Sequence, residues 1–211
     1  MRNILSTASG YVALTIGVIA IVGLVFIILF YSTGGPFGTL NDLCVAVGGI
    51  LSGILVGLLY PMYGAYAPRF SRIALVLGLI GALLAPIGSA LVVFDITGWF
   101  LAGLVTTFGY ALIGLWLLGF SYAARRDTAF PRRLAQFGVV AGAFTVIGLL
   151  AGPGILSRTD AIETAEWFVL AGLFLGGLGW NLLYTIWCIW LSRFLLSKTQ
   201  ATPKAQIDQS E

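Results

Sequence analysis

The sequence predicts an all-α polytopic membrane protein: a bundle of six transmembrane helices with both ends on the cytoplasmic side. Three observations predict it. Of 211 residues, 59% are hydrophobic and only 9% are charged, whereas soluble domains carry about 25% charged residues. Water cannot solvate the outside of a globule so poor in charge, but lipid can. Six stretches have the roughly 20 predominantly apolar residues that a helix needs to cross hydrocarbon. The basic residues also segregate. Arg2, Arg69, Arg72, Arg125, Arg126, Arg132, Arg133, Arg193, Lys198 and Lys204 fall on one side of a six-span arrangement, and Arg158 alone falls on the other. Lys and Arg accumulate in cytoplasmic connections, so this bias sets the orientation. A five- or seven-span arrangement scatters the same charges.

The spans fall near 9–31, 42–63, 71–94, 98–122, 134–154 and 166–195, within one membrane domain over 1–196. The first has an apolar run from Tyr11 to Tyr31, too long for a signal-peptide core, and no small-x-small cleavage site follows it. It is expected to be retained. The turn-rich segment Ser32-Thr33-Gly34-Gly35-Pro36-Phe37-Gly38 leads to the second span, which ends at Tyr60 and Tyr63 before the basic loop Arg69–Arg72. The third span contains Pro86 between Gly81 and Gly88. A proline there removes a backbone hydrogen bond and predicts a kink. The fourth opens at Gly98-Trp99-Phe100. Pro131 suits the first turn of the fifth, where its missing N–H costs nothing. Asp160 and Glu163 have the spacing of a capping box, which predicts that the sixth helix starts before it enters the membrane. Residues 197–211 are polar without apolar periodicity and are expected to form a disordered cytoplasmic tail.

Glycine is abundant, at 28 residues. Gly49, Gly53 and Gly57 recur every four positions in the second span, as do Gly138 and Gly142 in the fifth and Gly172 and Gly176 in the sixth. This spacing lays bare backbone along one helix face and lets a neighbour approach closely. The neighbour is either another helix of the bundle or a second subunit.

The polar candidates lie in the sixth span. Asn181 sits near its midpoint, where an amide is costly unless it finds a partner. Gly177, Asn181, Tyr184, Thr185 and Cys188 share a face by their spacing of three and four, so this face is expected to point into the bundle. It serves either an interhelical hydrogen bond worth about 1 kcal/mol or less or a solute path. Trp187 and Trp190, close to Arg193, fit an interfacial aromatic belt; Trp180 is deeper. Asp42, Asp95 and Asp160 stand at expected helix starts, where a carboxylate caps free N–H groups.

Several function classes are disfavoured. Histidine is absent, which removes imidazole ligands and His-based acid–base catalysis. No acid or base lies in the middle of a span, which counts against proton-coupled pumps and voltage sensors. Ser52 and Ser89 have no base to activate them. Cys44 and Cys188 are expected at opposite depths, too far apart for a disulfide. The net charge of +3 comes from short loops and does not point to nucleic acid. No cofactor, metal or catalytic residue is predicted. The expected partners are the lipid bilayer and either a second copy or another membrane protein.

Internal similarity is visible. Asp95-Ile-Thr-Gly-Trp99-Phe100 resembles Glu163-Thr-Ala-Glu-Trp167-Phe168. At a constant offset Arg72, Ala74, Gly81 and Ala82 fall on Arg133, Ala135, Gly142 and Ala143. The pattern is that of a repeated helical hairpin, or of chance likeness between segments rich in glycine and leucine.

The entry Gly35-Pro36-Phe37-Gly38-Thr39-Leu40-Asn41-Asp42, the start Thr97-Gly98-Trp99-Phe100-Leu101-Ala102-Gly103-Leu104, the Phe130-Pro131-Arg132-Arg133-Leu134-Ala135 turn and the run Tyr184-Thr185-Ile186-Trp187-Cys188-Ile189-Trp190-Leu191 together resemble uncharacterised bacterial multi-span membrane proteins of the domain-of-unknown-function kind. The similarity covers most of the chain. It implies an inner-membrane helix bundle and brings no activity or catalytic residue with it. The expected function is that of a non-enzymatic helix-bundle subunit or scaffold. The alternative is a permease or channel for a small neutral solute or ion, acting as an oligomer; an enzyme acting on lipid is the weakest reading.

Overall fold

The structure, a computed structural model, describes residues 2–201. It is all-α, with no strand among the described residues. Six helices are long and apolar enough to cross a membrane: α1 (Arg2–Thr33), α2 (Phe37–Tyr63), α3 (Pro68–Val93), α4 (Trp99–Ala124), α5 (Arg132–Leu156) and α6 (Trp167–Lys198). The turn between α1 and α2 is made by Gly34 and Gly35, at φ 69° and 74°, a left-handed conformation that glycine adopts without a Cβ clash.

Apolar side chains cover the outside. Val18, Ile21 and Ile28 of α1, Ile80 and Leu83 of α3, and Phe174 of α6 are all exposed. That is the surface of a protein solvated by acyl chains. Ser6 of α1 donates its hydroxyl to the carbonyl of Leu195 on α6 (3.5 Å), so the beginning of the first helix and the last turns of the sixth meet at the same end of the bundle.

The bundle is built around α4. In its most apolar window 67% of residues are buried, against 22–39% in the other five helices. α3 and α5 flank it by the same device. The α-carbon of Gly81 lies so close to the carbonyl oxygen of Gly109 that no β-carbon fits between them, and a β-carbon at Gly142 would come within 3.0 Å of the carbonyl oxygen of Gly114. Gly81 and Gly142 are two positions that fall on each other at the constant offset in the sequence. The two Trp-Phe helix entries are also alike. Trp99 meets Phe100 edge-on at 5.6 Å and Trp167 meets Phe168 at 5.9 Å.

Most of the glycine stripe positions sit in seams within the bundle. A β-carbon at Gly49 would lie 3.0 Å from Cδ of Pro86, and one at Gly53 would lie 2.9 Å from Cβ of Ala82. A β-carbon added at Gly172 or Gly176 of α6 would come within 2.9 Å of the backbone of Ala151 or 2.6 Å of that of Gly148 on α5, and one at Gly138 would collide with Oγ of Ser121 and lie 2.8 Å from Nε1 of Trp187. Gly57 is different: it is exposed, and a β-carbon added there would meet no atom within 4 Å, so it lies in no seam of the bundle. Pro86 does not interrupt α3, which runs on to Val93 with the proline ring packed on Gly49.

The acidic residues correct the sequence reading. Asp42 is inside α2, which begins at Phe37. Asp95 is an exposed turn residue at φ 56°, and Gly98 takes the N-cap position of α4. Asp160 does cap a helix, but not its own. Its carboxylate accepts from the N–H of Gly98 (2.8 Å) and of Leu101 (3.1 Å), closing the start of α4 from the α5–α6 connection. The expected capping box therefore does not form. Only a short 3₁₀ turn, Ile162–Thr164, precedes α6, whose N-cap is Glu166. At the other end helix continues to Ala201. Lys198 donates to the carbonyl of Ala129 (2.9 Å) and sits over the ring of Phe194, contacts that the polar composition of the tail does not announce. Residues 202–211 of the expected tail lie outside the described residues.

Candidate functional site: an uncharged chamber between α1, α2, α4 and α6

The last helix is irregular where its polar residues cluster. Gly179–Tyr184 forms a π-helical stretch, a feature that recurs at functional sites. The backbone of Phe144 and Thr145 on α5 lies against Gly179, closer than any β-carbon would allow, and just beyond it α5 tightens into the 3₁₀ segment Ile147–Ala151. The wider π turn aims Trp180 and Asn181 into the bundle.

There the four helices line a chamber that opens at a mouth, about 350 Å³ when the open space at that mouth is included. Asn181, Tyr184 and Thr185, the residues singled out in the sequence, all line it. α1 contributes Ile16, Ala20 and Gly23; α2 contributes Asn41, Cys44, Val45 and Gly48; α4 contributes Tyr110. None of the lining residues carries a charge.

The walls are tied together by hydroxyl groups. Tyr110 donates to the carbonyl of Val45 (2.9 Å), joining α4 to α2. Tyr184 donates to Oγ of Ser52 (3.2 Å), which in turn donates to the carbonyl of Gly48 (2.7 Å), joining α6 to α2. Trp180 lies flat on Tyr110, with ring centroids 4.3 Å apart and planes within 8°. Offset stacking of this kind adds about 0.5–1.5 kcal/mol to the area buried.

Two donors on the lining residues are left over. Thr185 is 5% exposed, and its Oγ1 has no hydrogen-bond partner. Nε1 of Trp180 is buried and equally unpartnered. The interhelical bond expected of Asn181 is not formed with any described residue; the amide faces the chamber. A buried donor without an acceptor costs about 1–3 kcal/mol.

Toward the arginine-bearing end the interior is filled by rings. Tyr184 stacks on Trp187 (5.9 Å, 16°), and Trp187 meets Trp116 and Phe120 edge-on. Phe120 in turn contacts Tyr63 and Phe130, and Phe130 contacts Phe194. Trp187 is fully buried at the centre of this column, and Tyr63 is 4% exposed. Both are therefore core residues, where position near the end of a span suggested an interfacial belt. Trp190, at 38% exposed, keeps the outward position expected of it.

Cys44 and Cys188 are both free thiols. Ser89 is buried and unpartnered away from the chamber. Tyr110 and Asn41 did not stand out in the sequence. A phenol deep within the most buried helix was the signal for Tyr110, while Asn41 joins the site only through the packing of α2 against α1. No family model, curated protein or solved structure matches the chain.

Proposed function

We propose that the chain is a non-enzymatic helix-bundle subunit or scaffold of a prokaryotic cytoplasmic membrane, with its arginine-rich end facing the cytoplasm. The observation that carries this reading is the aromatic column beneath the chamber. A conduit needs a continuous polar route, and here Trp187, Phe120 and Trp116, each 6% exposed or less, fill the route from Tyr184 inward. Among the described residues the buried polar groups also converge on no nucleophile paired with a base, as group-transfer chemistry requires. The ten-to-one distribution of basic residues supports the orientation.

The chamber itself favours a second reading, a permease whose closed state is the one described. Reconstitution separates the two. Purified protein in liposomes should pass neither glycerol nor urea above the rate of empty vesicles, and affinity capture from native membranes in mild detergent should recover a stoichiometric membrane-protein partner or a second copy. Saturable flux abolished by Asn181→Leu would overturn the scaffold reading in favour of the permease.

A further inference from the structure

We propose that the chamber is a binding site for a small neutral molecule that presents a carbonyl oxygen on an apolar skeleton. The inference goes beyond a scaffold role and holds for either reading of function, since binding and flux are measured separately.

The chemistry of the lining selects this ligand class. The indole N–H of Trp180 can only donate, and it is buried without an acceptor. The hydroxyl of Thr185, on the turn below, is also buried without a partner, and the amide of Asn181 faces the same space. Trp180 and Asn181 on one turn of α6 and Thr185 on the next place three donor-bearing groups on one wall, and the indole, which cannot accept, calls for an acceptor on the ligand. The opposite wall, with Ile16 and Ala20 of α1 and Val45 of α2, is apolar and suits a hydrocarbon body. With no Asp, Glu, Lys or Arg on the lining, an ion would enter without compensation for its lost hydration. The carbonyl can come from a free ketone or from the ester region of a lipid, and the two share the chemistry that the chamber recognises.

Quenching of tryptophan fluorescence by 4′-bromoacetophenone tests the proposal, with bromobenzene as the probe of similar shape that lacks the carbonyl. Full-length protein, delipidated in detergent, should show saturable quenching by 4′-bromoacetophenone and only linear, partition-like quenching by bromobenzene. Trp180→Phe should remove the saturable part. Thr185→Val, close in shape to the native residue, should weaken it at least tenfold. Ala20→Leu, which fills the chamber from α1 without touching a donor, should abolish it; each variant is checked for an unchanged helical circular dichroism spectrum. Competition by unbrominated phosphatidylcholine assigns the site to a lipid ester, and its failure to compete assigns it to a free solute; both outcomes support the proposal. Identical linear quenching by both probes, or saturable quenching that survives Ala20→Leu and Thr185→Val alike, means that the chamber holds only water or is occupied without regard to the carbonyl, and overturns it.

Discussion

Trp180 of α6 lies parallel to Tyr110 of α4, with ring centroids 4.3 Å apart. This contact sets the depth at which the chamber begins, because the phenol is itself anchored to α2 by the carbonyl of Val45. The π stretch of α6 and the axial helix α4 are thereby locked to one register.

Breaking that lock should be measurable. Tyr110→Phe keeps the ring stack and loses the hydrogen bond, at an expected cost of about 0.6 kcal/mol, near the average for interhelical bonds in membranes. Trp180→Ala loses the stack and should cost about 3 kcal/mol or more through the cavity it leaves. Reversible unfolding in mixed detergent micelles checks both values. Equal effects of the two substitutions would show that the stack contributes nothing of its own.

The glycine seams make a contrast within one residue type. Gly81→Ala places a β-carbon on the carbonyl of Gly109, backbone that cannot yield without moving α3 off α4. The expected cost is about 1–3 kcal/mol, as for overpacking of a close-packed interior. Gly57→Ala meets nothing and should be neutral or stabilising by up to about 1 kcal/mol through helix propensity. Thermal denaturation of the two variants in the same detergent compares them directly.

Asp160→Ala removes the two hydrogen bonds that the α5–α6 connection makes to Gly98 and Leu101. A lost helix cap costs about 0.5–2 kcal/mol, and Asp160→Asn, which keeps an acceptor oxygen, should lose less. Hydrogen exchange should localise the effect to the first turn of α4. Faster exchange at the start of α6 instead would restore Asp160 to the capping role its sequence position suggests.

The aromatic column predicts a leak when it is opened. Phe120→Ala combined with Trp187→Ala removes the rings between Tyr184 and the arginine-bearing end, and liposomes carrying this variant should pass glycerol while the parent protein does not. A variant that stays tight, with unchanged helical content, means that the inner half is closed by more than these two rings.

The course of the helices was legible in the sequence because crossing hydrocarbon imposes a length and a composition that few segments meet. The inward face of α6 was legible too. Asn181, Tyr184 and Thr185 line the chamber, and Cys188 is buried. The same periodicity failed at Gly177, which meets no neighbour. Hydrogen bonds in a π turn reach one residue further than in an α turn, so positions counted across Gly179–Tyr184 slip out of register. The rest depended on long-range packing. Asp160 caps α4 from a connection about sixty residues away along the chain, and no local spacing encodes that. Trp187 and Tyr63 sit close to basic residues in sequence, as interfacial aromatics do, yet they turn inward to pack edge-on against Phe120, a contact between distant parts of the chain that no local spacing encodes.

Labelling of single cysteines tests the six-span arrangement and its orientation most directly. In a Cys44→Ala, Cys188→Ala background, Thr33→Cys places a thiol at the exposed end of α1, and Thr128→Cys places one in the exposed arginine-rich α4–α5 connection. A membrane-impermeant maleimide added to intact cells should label Thr33→Cys and should reach Thr128→Cys only after lysis. Labelling of both before lysis, or protection of both, would contradict the arrangement.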